Sequence, residues 1–339
     1  MTIGGTSFQG QANAQANRLR DLQQAVQDLQ RQATTQKKHE RFSGFGFESL
    51  SVQRYRMDLG RLDSYLGNIT TASTRIKTMT NSLDFTSKSA RELLGAFDTE
   101  VLGGEIDVGT IRTIAQNGLA FLQNLVNTEL DGRFLFAGSS TQTQPFINDS
   151  QLQTTAQTAI TDWLNGTQTT AQLIAASEAL TTSDLGFDPA LSAAGDVSLR
   201  IDQTTEVNYT VIGNSNGFED LMRGFALAAN LEIPDELTDV PDLNQFTEVV
   251  RYIADTVRRG VDAIDSANAR LGSTFTLISS VEESHRQQKA LIGGLSDQTE
   301  NVDTTEVVAK LQILQTQLEA SYQITGIVSQ LSLVNFLPI

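Results

Sequence analysis

The chain has 339 residues, with 40 Asp or Glu against 24 Lys or Arg, a formal net charge of −16 and no cysteine. Such a surface repels phosphate backbones, which argues against a nucleic-acid partner, and the missing thiols exclude disulfides, thiolate metal sites and cysteine nucleophiles. Only 6% of residues are aromatic and only five are Pro, a composition that suits long uninterrupted helices in slender layers.

Near the N-terminus the spacing predicts a helix whose apolar seam is Leu19, Leu22, Val26, Leu29 and Ala33, stepping by three and four. The Gly-rich stretch FSGFGF (42–47) interrupts it and reads as a linker. The seam then returns at Val52, Tyr55, Leu59, Leu62, Leu66 and Ile69 and keeps register to Leu94 and Phe97, far longer than an ordinary globular helix. A third helix is expected from near Ile111 to Leu130. There Asp131-Gly132 reads as a left-handed helix stop, and Gly138 releases Phe134-Leu135-Phe136 into a polar loop.

Between 131 and about 240 the pattern changes. GDVSLRIDQTTEVNYTVIG (195–213) alternates and is β-branched, predicting a hairpin, and Phe218 to Asn230 predicts a short helix. Residues 151–180 fit either short helix or loop. Pro234 and Pro241 flank an acidic turn. The heptads resume from Phe246 through Val250, Ile253, Val257 and Ile264 to His285, IGGL (292–295) suggests a hinge, and a last helix is expected over 303–334.

The expected fold is mainly α: a long antiparallel, coiled-coil-like bundle of N- and C-terminal segments, with a small mixed α/β domain inserted. The boundaries are 1–45 (N-terminal helix), 46–140 (outgoing rod helices), 141–242 (insert), 243–295 (return helix) and 296–339 (C-terminal helix). Charge favours pairing of the ends, since residues 1–41 carry six Lys/Arg and three acids while 296–339 carry one Lys and five acids. Each exposed pair adds little. In this arrangement Leu19, Leu22, Val26 and Leu29 pack against Leu311, Leu314 and Leu318. Ile324, Ile327, Leu331, Val334 and Phe336 exceed what one seam can bury, as in a subunit covered by its neighbours.

A search for chemistry finds no catalytic, cofactor or metal set. The two histidines, His39 and His285, are far apart, and His285 falls on the seam, where packing is its expected role. No HExxH, GxSxG or P-loop is present. Asp297, Glu300, Asp303 and Glu306 lack the spacing of a calcium loop, while Asp303 and Glu306 suit a helix N-terminus. Asp184, Asp188, Asp196 and Asp202 have nothing to bring two of them together for acid–base work. No cationic segment with an apolar h-region and no run of 18 apolar residues occurs, so neither a conventional secretion signal nor a membrane span is expected.

DGRFLFAGSSTQTQPF (131–146) is similar to the segment after the third helix in the flagellin superfamily. LQTQLEASYQITGIVSQLSLVNFL (314–337) resembles the C-terminal helix of those proteins, with an ending closer to the hook-associated, hook–filament junction members than to filament flagellins. RIDQTTEVNYTVIGNSNGFEDLMRGFALAAN (200–230) resembles the strand-then-helix part of some middle domains. The filament-type segment SSG-R-NSA-DDAAG is missing; QATTQKKHERFSGFGFES (32–49) stands there instead.

The resemblance implies an extracellular structural subunit of the bacterial flagellum, exported unfolded by the flagellar apparatus, with or without an export chaperone. It implies homo-oligomerisation in a helical or ring assembly, next to hook-associated protein 1 and flagellin. A divergent or minor filament flagellin is the near alternative. A cytoplasmic coiled-coil signalling or adaptor module is the alternative of another class.

Overall fold

The computed structural model describes the backbone of residues 4–103, 107–233 and 242–334, and side-chain surroundings for 10, 13–98, 107–233 and 242–327. The chain is mainly helical: α1 (Gly4–Thr35), α2 (Ser49–Gly103), α3 (Val108–Val126), α4 (Asp149–Leu164), α5 (Thr170–Glu178), α6 (Asn216–Ala229), α7 (Leu243–Glu300) and α8 (Thr304–Val334). Two antiparallel strand pairs complete it, β1 (Glu129–Leu130) with β2 (Arg133–Phe134), and β3 (Ser198–Arg200) with β4 (Glu206–Asn208). The expected acidic turn between Pro234 and Pro241 lies outside the described residues.

The chain forms two compact units, residues 64–284, and residues 1–63 with 285–339. The first holds one continuous apolar core. Helix α2 contributes Ile69, Ile76, Met79, Leu83 and Leu93, α3 contributes Ile111, Leu119 and Leu122, and α7 contributes Phe246, Val250, Ile253 and Ile264. Heptad spacing explains why each of these helices has one buried stripe. Helix α6 is different. Every residue from Leu221 to Ala229 is buried, as expected of a helix enclosed on all sides.

Close approach around α6 depends on glycines. A Cβ at Gly224 would lie 2.5 Å from Val257 Cγ2, and one at Gly260 would lie 2.7 Å from Leu221. Side chains there would hold α6 and α7 apart, so bare backbone on both helices sets their spacing. Side chains cap the starts of α3 and α5. Asp107 accepts from the Thr110 N–H at the start of α3, and Thr169 with Gln172 forms a reciprocal capping box on α5. Residues 151–180, which fit helix or loop by sequence, contain α4 and α5; Leu152, Ala156, Ile160 and Trp163 make the buried stripe of α4.

Two sequence expectations are corrected. Asp131-Gly132 is not a helix stop, because α3 already ends at Val126. Asp131 (φ 53°) and Gly132 (φ 71°) are the two central residues of a tight hairpin turn that pairs Leu130 with Arg133 and Glu129 with Phe134. Two consecutive positive φ values match the twist of a two-residue hairpin, and Asp-Gly tolerates them best. What stops α3 is Asn127, whose side chain donates to the Phe146 carbonyl (2.9 Å) and accepts from the Phe146 N–H (2.8 Å). Gly138 also has positive φ (57°), and a Cβ there would lie 2.9 Å from the Gly195 carbonyl oxygen. The Ser139 N–H donates to that oxygen (2.9 Å).

The second correction is at IGGL. Helix α7 runs unbroken through Gly293 and Gly294 to Glu300. Glycine weakens a helix by about 1 kcal/mol each relative to Ala, and flanking helix formers outweigh that here. The chain turns later, at 301–303.

Candidate assembly interface

The unit made of residues 1–63 and 285–339 is built on the pairing of α1 with α8. On α8 the least exposed positions are Val307, Leu311, Leu314, Leu318, Ser321 and Thr325, an alternation of fours and threes that defines one seam. On α1 the corresponding positions are Leu19, Leu22, Val26 and Leu29, with Val26 buried and the leucines half-buried. Gln23 Nε2 also donates to the Tyr322 hydroxyl at 2.6 Å.

The helix pair is closed by a clasp between the segments that follow α1 and α7. Lys37 and Asn301 form an isolated antiparallel bridge. The Lys38 N–H donates to the Glu300 carbonyl (2.8 Å), and the Val302 N–H donates to the Gln36 carbonyl (3.1 Å). Lys38 Nζ adds a bond to the Gln298 carbonyl at 2.6 Å. Gln36 takes a positive φ of 58°, which ends α1 and swings the chain into the bridge.

Beneath the bridge lies an ion pair. The Glu300 side chain is only 8% exposed and receives both Arg56 Nε, at 2.9 Å, and Arg56 Nη2. The Ser296 hydroxyl donates a further bond at 3.1 Å. Bonding from Arg56, against the opposing pull of burial, holds the Glu300 carboxyl below its usual range. Arg56 itself lies 5.0 Å from the centre of the Phe42 ring. The FSGFGF linker is therefore structured: Phe42–Glu48 is a 3₁₀ turn with Phe45 buried, and His39 packs edge-on against Phe45 at 5.1 Å. Asp303 starts α8, accepting from the Thr305 N–H at 2.8 Å.

A second face of α8 points elsewhere. Ile313, Ile324 and Ile327 are 58%, 55% and 59% exposed. At 100° per residue these three fall within about 60° of one another, and about a third of a turn from the seam. Leu331 and Val334 continue α8, but their side chains, like Phe336, lie outside the residues whose surroundings are described. Of the 17 exposed large hydrophobic side chains among the described residues, 11 belong to this unit, although it comprises about a third of the chain. Phe47, Leu50, Met57 and Leu291 are among them. Large exposed apolar areas are characteristic of interaction surfaces.

Sequence reasoning did not identify Arg56, Glu300 or Ile313. Glu300 was grouped with neighbouring acids because its partner is 244 positions away. Ile313 was detectable as the apolar residue two heptads before Ile327, on the same side of the helix. His285 is buried, as its seam position suggested. Among the described residues no three His, Cys, Asp or Glu gather as metal ligands, and no helix is long and apolar enough to cross a membrane.

No protein-family pattern matches the chain, and no curated protein matches its sequence. A solved structure does share its fold. It comes from Vibrio parahaemolyticus, is described as a flagellar hook-associated protein, and aligns over 75% of this chain and 97% of its own length, with 11% identity and a TM-score of 0.53. FlgL of Bacillus cereus aligns over 72% of this chain and 98% of its own, with 13% identity and a TM-score of 0.49.

Proposed function

We propose that the chain is a structural subunit of the bacterial flagellum, of the hook-associated protein 3 type that joins hook to filament. The observation that carries this reading is the exposed apolar surface of the terminal-helix unit, and Ile313, Ile324 and Ile327 above all. The shared fold with a flagellar hook-associated protein and the resemblance of 131–146 and 314–337 add to it. In this reading the α1–α8 seam folds the subunit. The face formed by Ile313, Ile324 and Ile327 packs on neighbouring copies in a ring or helical array. Removing that surface from water supplies the association energy. The subunit has no catalytic step; it transmits torque by staying rigid. Export through the flagellar apparatus, and contacts with hook-associated protein 1 and flagellin, follow from the same reading.

The test is imaging of flagella from a strain with the chain tagged in the surface loop near Gln203. A label confined to the proximal end supports the junction role. A label along the whole filament replaces it with a flagellin role, and a label confined to the cell body overturns both.

A further inference from the structure

The unit of residues 64–284 contains a half-open cavity of about 350 Å³ between α4, α5 and α6. Its walls are mainly apolar, with Leu152, Ala156, Leu180 and Leu227 among the lining residues. Three other lining residues, Gln168, Ser177 and Arg223, carry side-chain atoms without a hydrogen-bond partner: Gln168 Oε1, Ser177 Oγ and Arg223 Nε. Ser177 is 98% and Arg223 93% buried. An orphaned buried polar group is costly, and three beside one cavity mark it as a place where a partner is missing.

We propose that this cavity is a binding site for a small uncharged ligand with an apolar body and an amide-type polar end. The proposal stands independently of the flagellar reading. An uncharged ligand fits because Arg223 is already neutralised by Asp220, 2.5 Å from its Nη1. Asp162 also lines the cavity, so a carboxylate would meet a like charge. An amide fits because its carbonyl can accept from the Ser177 hydroxyl, while its N–H₂ donates to Gln168 Oε1. The Ser177 and Gln168 atoms lie beneath the cavity wall, so a ligand reaches them through rotation of those two side chains. Gaining partners compensates for that rotation. The volume is at the lower end of the range for small-molecule sites.

The full-length protein would be titrated with benzamide, and in parallel with benzoate and toluene. The readout is the indole N–H resonance of Trp163, the only tryptophan, which donates to Thr170 Oγ1 at 3.1 Å close to the cavity. Benzamide is expected to give a saturable shift, with benzoate and toluene each at least about threefold weaker, the scale of one neutral hydrogen bond. Ser177→Ala is expected to weaken benzamide by about threefold to tenfold while leaving the melting temperature of the free protein unchanged or higher, because it deletes an orphaned hydroxyl. Ala176→Phe, at an exposed position on the rim, is expected to abolish binding without unfolding. Absence of a saturable shift, benzoate or toluene binding as tightly as benzamide, or binding that survives Ala176→Phe would each overturn the proposal.

Discussion

Removing Arg56 should harm the protein more than neutralising Glu300, although both changes delete the same ion pair. The Glu300 side chain is 8% exposed and that of Arg56 43%, so the two partners lose unequal amounts on separation. Arg56→Ala strands a buried carboxylate with the Ser296 hydroxyl as its remaining side-chain donor. Stranding one charge of a fully buried pair costs about 3–5 kcal/mol; the exposure of Arg56 and solvent screening reduce this to about 2–3 kcal/mol. Glu300→Gln leaves a guanidinium that can turn to water and keeps one neutral bond, for a loss of about 1 kcal/mol. The sign with pH follows from the Glu300 carboxyl being held below its ordinary value of 4.5. The stabilisation is complete above that value and disappears as pH falls through the depressed pKa. Urea unfolding followed by circular dichroism, with hydrogen exchange at residues 36–38 and 300–302, would measure both variants at pH 7 and pH 3. The gap between them should shrink at pH 3. Equal losses at pH 7, or a gap that persists in acid, would refute the assignment of Glu300 as the buried partner.

Replacing Ile324 and Ile327 together with Asp should leave thermal unfolding within about 0.5 kcal/mol of wild type, because both are exposed, yet abolish incorporation into flagella and swimming in soft agar. Intact motility would remove the isoleucine face from the proposed function. Gly293→Ala with Gly294→Ala should stabilise the chain by about 1–2 kcal/mol in a denaturant melt, since both positions are helical and nothing lies within 4 Å of either added Cβ. A loss of stability there would favour a break in α7. Gly224→Ala should destabilise by about 1–3 kcal/mol in the same assay, because its Cβ meets Val257. At the hairpin corner, Asp131→Gly should be neutral or slightly stabilising and Asp131→Val worse by about 1–2 kcal/mol, since a β-branched residue resists φ 53°.

The long helices were legible because a heptad pattern sustained over dozens of residues admits one conformation; α2 and α7 fall where Val52–Phe97 and Phe246–His285 put them. The pairing of the ends was suggested by charge and by the leftover stripes. Local corners were less readable. Asp-Gly satisfies the backbone demands of a helix C-terminus and of a tight hairpin alike, and what separates them is the Asn127 clamp on Phe146, a contact across 19 positions. IGGL looked like a hinge because glycine propensity is a weak local preference that tertiary context overrides. The clasp around Glu300 and the cavity beside Arg223 were out of reach for another reason. Each depends on segments far apart in the chain, and neither leaves a periodic trace.

The two faces of α8 have an evolutionary consequence. In the proposed function, the residues that fold the subunit and those that meet its neighbours occupy different sides of one helix, and their codons interleave. On that reading, drift at Ile313, Ile324 or Ile327 retunes which partner is accepted without unsettling the monomer. Substitutions at Leu311, Leu314 or Leu318 must first satisfy α1. On that reading, a lineage can change the specificity of its polymer in single steps, each of them a folded protein.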